Sequence, residues 1–232
     1  MIREPKRPIK TIQSFVRRSS KLTPGQRNGI DKLWSQYGID ISKNSIIDLD
    51  KKFSNNHPKV LEIGFGNGDS LLSMAIKTPN KNFLGVEVYE AGIGRLINEA
   101  HKLSINNLRV VKFDAVELLN NHIDDDSFET FQLFFPDPWH KKKHHKRRIV
   151  DSDFLNLISK KVIKNGTIHM ATDWEHYAQQ MMDSMENHKN FKNLYGAHIY
   201  SPRPEIRPIT KFERRGQNLG HKVWDLMFIN NK

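Results

Sequence analysis

The sequence of 232 residues contains no cysteine. This excludes disulfide bonds, cysteine-ligated zinc, iron–sulfur clusters and a cysteine nucleophile. No apolar run approaches the ~18 residues that a membrane-spanning helix needs, so we expect no membrane association. The N-terminal segment also lacks the apolar core of a secretion signal. These absences favour a protein of the reducing cytoplasm, although the basic, acid-poor N-terminal segment would also suit a mitochondrial transit peptide.

Positive charge is in excess and is unevenly distributed. Lys and Arg number 37 against 26 Asp and Glu, and the excess is concentrated in residues 1–27, 140–148 and 201–222. Solvated surface charge is usually interspersed in sign, so three concentrated patches predict a polyanionic partner such as a nucleic acid. We therefore expect residues 1–28 to form a basic arm that is flexible without RNA, followed by a single domain over residues 29–232.

Short apolar runs alternate with helical periodicities along that domain. The runs of strand length are residues 59–65, 82–88, 108–114, 128–135 and 166–172. This alternation predicts an α/β fold, with a mostly parallel sheet covered by helices on both faces. A helix that Asp151 or Ser152 could cap is expected before the fifth run, and a Met- and aromatic-rich helical stripe from Trp174 to Met185 is expected in the core after it. The last run, 222–230, predicts a closing strand paired with one near 194–200.

A glycine-rich turn follows the first predicted strand, in the sequence EIGFGNGD (62–69). Gly64, Gly66 and Gly68 permit a tight turn and close approach of a ligand to the backbone. A dinucleotide fingerprint would need glycine where Asp69 stands, which disfavours NAD. The spacing E-x-G-x-G-x-G is typical of S-adenosylmethionine (SAM) methyltransferases, and the Glu62 carboxylate can help to hold the ammonium group of SAM.

Two further carboxylates end the second and third predicted strands. Glu87 is suited to accept hydrogen bonds from ribose hydroxyls, and Asp114 from an adenine amino group. Ligands of open α/β sheets bind at the carboxyl ends of the strands. The three acids, together with the glycines, predict a binding site for SAM as co-substrate.

The fourth predicted strand leads into FFPDPWHKKKHHKRR (134–148). Pro136 and Pro138 stiffen the backbone around Asp137, and Trp139 could offer a flat face to a base. The cations that follow suit phosphates. The histidines of this segment have no acid or cysteine that completes a ligand set, so we expect no metal; they are His140, His144 and His145.

Several segments resemble those of the bacterial tRNA (guanine-N7-)-methyltransferases, the TrmB family. FPDPWHKKKHHKRR is similar to the family's signature, and VLEIGFGNGD to its SAM loop. IQSFVRR with LTPGQ (12–26), TDW (172–174) and RPITKFERRGQNLGHKVWDL (207–226) resemble its other conserved segments. Residues 29–57 carry no such similarity.

This resemblance implies a class I methyltransferase fold, Rossmann-like, with a seven-stranded sheet whose last strand is antiparallel. It implies methyl transfer from SAM to N7 of a guanosine in the tRNA variable loop, at position 46. The implied SAM contacts are Glu62, Glu87, Asp114 and Asp137, and Asp137 would also border the reaction centre as the catalytic residue. The implied contacts to tRNA or its guanine are Lys141, Asp173, Thr210, Lys211, Phe212 and Glu213.

Two other functions remain open at this point. One is a SAM enzyme that methylates an exocyclic amine, because D-P-W is close to a D-P-P-Y type motif, although the second proline is missing. The other is a non-catalytic RNA-binding module on a degenerate Rossmann scaffold, which the intact glycine turn and the strand-end acids oppose. The sequence does not distinguish a monomer from a homodimer.

Overall fold

A computed structural model describes residues 21–43, 45–210, 213, 214, 216, 220 and 222–232. These residues form a sheet with the order β3-β2-β1-β4-β5-β7-β6. The strands are β1 (Lys59–Ile63), β2 (Asn82–Val86), β3 (Leu108–Val111), β4 (Phe128–Phe134), β5 (Val162–Thr172), β6 (Phe191–Asn193) and β7 (Trp224–Asn230). Strands β1 to β5 are parallel, and β7 is antiparallel to both β5 and β6. The predicted mostly parallel, seven-stranded sheet with an antiparallel last strand is therefore confirmed.

The partner expected for β7 is corrected. The chain pairs β7 with β6 at 191–193 instead of with a strand over 194–200. Gly196 has φ +110° and His198 has φ +58°, so the backbone turns between them and cannot continue a ladder. Ser201 then returns to β7 through a single bridge with Asp225.

Helices cover both faces of the sheet. They are α1 (Pro24–Tyr37), α2 (Leu49–Phe53), α3 (Asp69–Lys77), α4 (Glu90–Lys102), α5 (Ala115–Asn121), α6 (Ser152–Lys161) and α7 (Glu175–Glu186), with a 3-10 helix over Lys142–Arg147. Val60 packs with α1, α3 and α4 in one apolar cluster, whereas its neighbour Leu61 packs with α6 and α7 in another. Successive strand residues point to opposite faces, so the sheet separates two cores.

The expectations for α6 and α7 are largely confirmed. The Asp151 carboxylate caps α6 by accepting a hydrogen bond from the Phe154 N–H at 2.9 Å. The buried face of α7 is formed by Tyr177, Ala178, Met181, Met182 and Met185. No described helix has the length and hydropathy of a membrane span.

Helix α1 crosses the boundary predicted at residue 28. Its first turn is closed by a capping box in which Thr23 and Gln26 bond each other's backbone N–H. The helix lies so close to α4 that a Cβ on Gly29 would come within 2.6 Å of the Gly94 carbonyl oxygen. Since α1 is packed from residue 24 onward, the basic arm of our prediction concerns the residues before it, and residues 1–20 lie outside the described part of the chain.

Candidate active site

A cavity of about 700 Å³ lies at the carboxyl ends of β1 to β5. Its walls come from residues 62–70, 86–89, 113–116, 133–138 and 173–174. It brings together nine of the predicted site residues, namely Glu62, Gly64, Gly66, Gly68, Glu87, Asp114, Asp137, Asp173 and Thr210. Parallel strands end at one edge, which explains why residues so far apart in sequence meet there.

The glycine turn opens its backbone to this cavity. Gly64 and Gly66 have φ of +71° and +56°, and a Cβ on either would meet no atom within 4 Å. Gly68 is different, because its Cβ would lie 2.8 Å from a methyl group of Leu96. Gly92 on α4, which the sequence analysis missed, is as constrained, since its Cβ would lie 1.8 Å from the Gly66 carbonyl oxygen. The first two glycines thus leave room for a ligand, and the other two allow α4 to pack against the turn.

Glu62 is a buried carboxyl at the floor of the cavity. Its side chain lies on β1, and the residue is only 2% exposed. Among the described residues, its Oε2 has no hydrogen-bond partner. Burial, and secondarily the negative charge of Glu87, raises the pKa of Glu62 to about 8. A buried carboxyl oxygen without a hydrogen-bond partner is suited to accept a hydrogen bond from a cationic ligand group such as an ammonium.

Glu87 braces the glycine turn. Its Oε2 accepts a hydrogen bond from the Gly66 N–H at 2.8 Å, and its Oε1 accepts from Val88 and Tyr89 at 2.7 and 3.0 Å. Each carboxylate oxygen has two lone pairs, so Oε2 retains capacity for a ligand hydroxyl. The sequence indicated the ligand role of Glu87 and gave no sign of this bracing role.

Asp114 has a structural role as well as a place in the cavity wall. It is the N-cap of α5, and its Oδ1 accepts a hydrogen bond from the Glu117 N–H at 2.9 Å. The cap fixes the carboxylate at the end of β3.

The Asp137 loop is held from both sides. Phe135 and Trp139 flank Asp137 and have φ of +52° and +46°. Residues with bulky side chains rarely adopt this left-handed backbone region. The Phe135 N–H donates to the Ala171 carbonyl at 2.7 Å. On the other side, Arg148 Nε donates to the Pro138 carbonyl at 2.8 Å. Such strain persists only where the surroundings enforce it, and it is common at functional sites.

The basic run after Asp137 divides into buried and exposed cations. Arg148 is 3% exposed. It lies over the Tyr177 ring, with its guanidinium carbon 4.6 Å from the ring centroid, and donates to Gln180 on α7. Arg147 stacks on Trp139 at 3.8 Å from the ring centroid. One face of the Trp139 ring, which we expected to be open to a base, is therefore occupied by a cation–π contact. The exposed cations are Lys141, Lys142, Lys143 and Lys146.

Asp173 and Trp174 follow β5 and form another part of the cavity wall. Trp174 is 39% exposed, and its ring packs edge-on against His140 at 4.2 Å between centroids. The helical stripe assigned Trp174 to the core, whereas the structure places it at the cavity, because α7 begins only at Glu175.

The C-terminal segment also differs from expectation. Thr210 lines the cavity, but Glu213 is 1% exposed and its two carboxylate oxygens accept hydrogen bonds from Arg207 at 2.7 and 3.0 Å. The Glu213 carboxylate is thus engaged in a buried ion pair with Arg207, and its contact with RNA stays a prediction. Lys211 and Phe212 lie outside the described residues. Within the described ranges, no group of three or more His, Asp or Glu side chains could hold a metal ion.

Comparison with known proteins agrees with this architecture. The chain is similar to the solved structure of the 16S rRNA methyltransferase KamB, with a TM-score of 0.61 and 12% identity, covering 84% of this chain and 98% of that one. It is also similar to the aminoglycoside resistance methyltransferase NpmB1, with a TM-score of 0.53 and 14% identity, covering 79% and 92%. These likenesses confirm the predicted class I methyltransferase fold.

Sequence comparison is more specific. A family model described as "Putative methyltransferase" matches residues 56–226. A protein of Pseudoalteromonas translucida named tRNA (guanine-N(7)-)-methyltransferase is 50% identical over 97% of this chain and 92% of its own length. One of the same name from Vibrio vulnificus is 51% identical over 95% and 92%. The chain therefore belongs to the tRNA (guanine-N(7)-)-methyltransferase family.

Proposed function

We propose that the chain transfers a methyl group from SAM to N7 of a guanosine in tRNA, at position 46 of the variable loop. The observation that carries this proposal is the near-full-length likeness to proteins named for that reaction. The site supports it independently, because the cavity lies at the strand ends where class I folds bind ligands. An enzyme that modifies tRNA works where tRNA is found, so we place it in the cytoplasm.

The cavity residues fit SAM. When bound, SAM supplies a methyl group carried by a cationic sulfonium. Glu62 offers a buried carboxyl whose Oε2 lacks a partner among the described residues, and it would hold the ammonium group. Gly64 and Gly66 leave open space at the backbone where a side chain would obstruct a ligand.

The other end of the cavity fits the nucleoside part of the same molecule. Glu87 would accept a hydrogen bond from the ribose through the capacity that remains on Oε2. Asp114 follows β3 as the N-cap of α5 and would accept one from the adenine amino group. The three carboxylates thus divide the recognition of SAM among the ends of β1, β2 and β3.

Asp137 and Asp173 are placed to orient the guanine. They follow the adjacent parallel strands β4 and β5 and both line the cavity. Guanine N7 already presents a lone pair, so the enzyme need not remove a proton before attack and works chiefly by alignment. A carboxylate that accepts from guanine N1–H and N2–H would fix the ring and offset the positive charge that develops on its imidazole part.

The exposed lysines next to this site would bind the tRNA backbone. Lys141, Lys142, Lys143 and Lys146 lie directly after the Asp137 loop, so phosphate contacts there would hold the nucleic acid beside the reacting centre. This order of site and charge suits a polyanionic substrate better than a small molecule.

The test is methylation of unmodified tRNA with SAM, followed by digestion to nucleosides and chromatography. We expect 7-methylguanosine as the product. An exocyclic methylguanosine would overturn the assignment to N7, and SAM binding without any methylated nucleoside would overturn the enzymatic function.

A further inference from the structure

Four ionisable side chains form a buried network beside the proposed active site. They are His169 on β5, Asp225 on β7, and Arg207 and Glu213 in the segment before β7. Each of these side chains is at most 4% exposed. Arg207 is at the centre and contacts two carboxylates at once.

The hydrogen bonds of Arg207 are bidentate on both sides. Its Nε and one terminal nitrogen donate to the two oxygens of Asp225, both at 2.8 Å. Its two terminal nitrogens donate to the two oxygens of Glu213, at 2.7 and 3.0 Å. His169 Nε2 lies 2.7 Å from Asp225 Oδ1 and completes the chain of contacts. An ion pair with two parallel hydrogen bonds fixes the relative orientation of the guanidinium and the carboxylate in addition to attracting them.

The network joins the sheet to the turn that carries Thr210. The Glu213 N–H donates to the Thr210 hydroxyl at 3.1 Å, and the Arg214 N–H donates to the Thr210 carbonyl at 3.0 Å. Thr210 itself lines the cavity. A continuous path of hydrogen bonds therefore runs from β7 through Arg207 and Glu213 to the cavity wall.

We propose that Arg207 is a positioning residue that holds Thr210 at the cavity, and that Glu213 affects tRNA through Arg207 and not by touching it. This inference rests on the proposed tRNA methyltransferase function. It explains why an acid in a basic, RNA-directed segment is buried. A carboxylate facing RNA phosphates would be repelled, whereas one that clamps Arg207 neutralises a buried cation.

The test is a double-mutant cycle with Glu213→Gln and Arg207→Met. The measurements are kcat and KM for tRNA, the Kd of SAM by calorimetry, and the melting temperature. Arg207→Lys serves as the conservative variant. Lys161→Met is the matched control, because Lys161 is a similarly buried cation that pairs with Asp125 at 2.7 Å and precedes β5, at the end of that strand away from the cavity.

Each single variant of the cycle should raise the KM for tRNA by about tenfold or more, because the turn loses a charged, buried hydrogen-bond partner. The Kd of SAM should stay near the wild-type value, since the residues proposed to hold SAM lie on other elements. The KM of the double variant for tRNA should be no higher than that of Arg207→Met alone. In the Arg207→Met variant the Glu213 carboxylate is a buried charge without its partner, and Glu213→Gln removes that charge. Arg207→Lys should recover part of the loss, and Lys161→Met should lower the melting temperature without a selective change in the KM for tRNA.

Two outcomes would overturn the inference. Additive losses in the cycle would mean that Glu213 contacts tRNA independently of Arg207. Equal losses of SAM and tRNA binding would mean that Arg207 only supports the fold. Failure of the proposed function gives a different result, because the wild-type chain would then methylate no tRNA.

Discussion

Glu62→Gln should change how SAM binding depends on pH. The wild-type carboxyl, with a pKa of about 8, is about nine-tenths protonated at pH 7 before any ligand arrives. A bound ammonium favours the ionised form, so binding at pH 7 should release close to one proton. The affinity for SAM should therefore rise with pH by up to about tenfold per unit until pH approaches 8, and then level off.

The assay is calorimetry from about pH 6 to about pH 9 in two buffers of different ionisation enthalpy. The amino group of SAM titrates in both proteins, so the difference between wild type and Glu62→Gln isolates the carboxyl. The variant should bind more weakly and lack the additional proton release. Identical pH profiles in the two proteins would refute the reasoning.

The raised pKa of Glu62 also affects the stability of the ligand-free protein. The native carboxyl keeps its proton up to about pH 8, whereas an unfolded one loses it near its ordinary value of 4.5. Between pH 4.5 and about pH 8 the native state therefore binds more protons than the unfolded state. The contribution of Glu62 to the free energy of unfolding is complete below this range and is lost as pH rises through it, by at most about 1.4 kcal/mol per pH unit. Denaturant titrations should show a shallower loss for Glu62→Gln than for wild type.

Four further variants test other parts of the site. Glu87→Ala should weaken SAM binding by roughly 1.5–3 kcal/mol, because the glycine turn loses its charged brace and the ribose an acceptor; unchanged affinity would remove Glu87 from the site. Asp137→Ala should lower kcat by about a hundredfold or more with an unchanged melting temperature, since the residue is proposed to align the guanine and is not part of the core; full turnover would contradict that role. Changing Lys142 and Lys143 to Ala should flatten the dependence of log tRNA affinity on log salt by about 0.7–0.9 for each phosphate that is no longer neutralised, whereas Arg148→Met should leave that slope unchanged and lower the melting temperature. A slope reduced equally by Arg148→Met would mean that Arg148 binds phosphate.

The strand-end acids could be predicted from the sequence because one topological rule places them. Glu62, Glu87 and Asp114 each lie near the carboxyl end of a strand, and parallel strands bring their carboxyl ends to one edge. The same rule places Asp137 and Asp173, which come after β4 and β5. The structure brings all of them to a single cavity.

The burial of individual cations could not be predicted, because it depends on contacts distant in sequence. Arg147 and Arg148 are neighbours in one basic run, yet one stacks on Trp139 and the other is buried against α7. Arg207 looks like part of a basic patch until Asp225, 18 residues later, is seen beside it. Local charge density reports only the number of cations, whereas burial depends on which partners the fold supplies.

The central claim, methylation at guanine N7 in the variable loop, is tested most directly by chemical cleavage. Methylation at N7 leaves a fixed positive charge on the purine, which makes the ring open to borohydride reduction and the chain then cleavable by aniline. Unmodified tRNA should be incubated with SAM and the wild-type chain, reduced, treated with aniline and resolved at nucleotide resolution beside a sample prepared without SAM. The account predicts a SAM-dependent cut at the variable-loop guanosine. Methylated tRNA that stays intact under this treatment would contradict it.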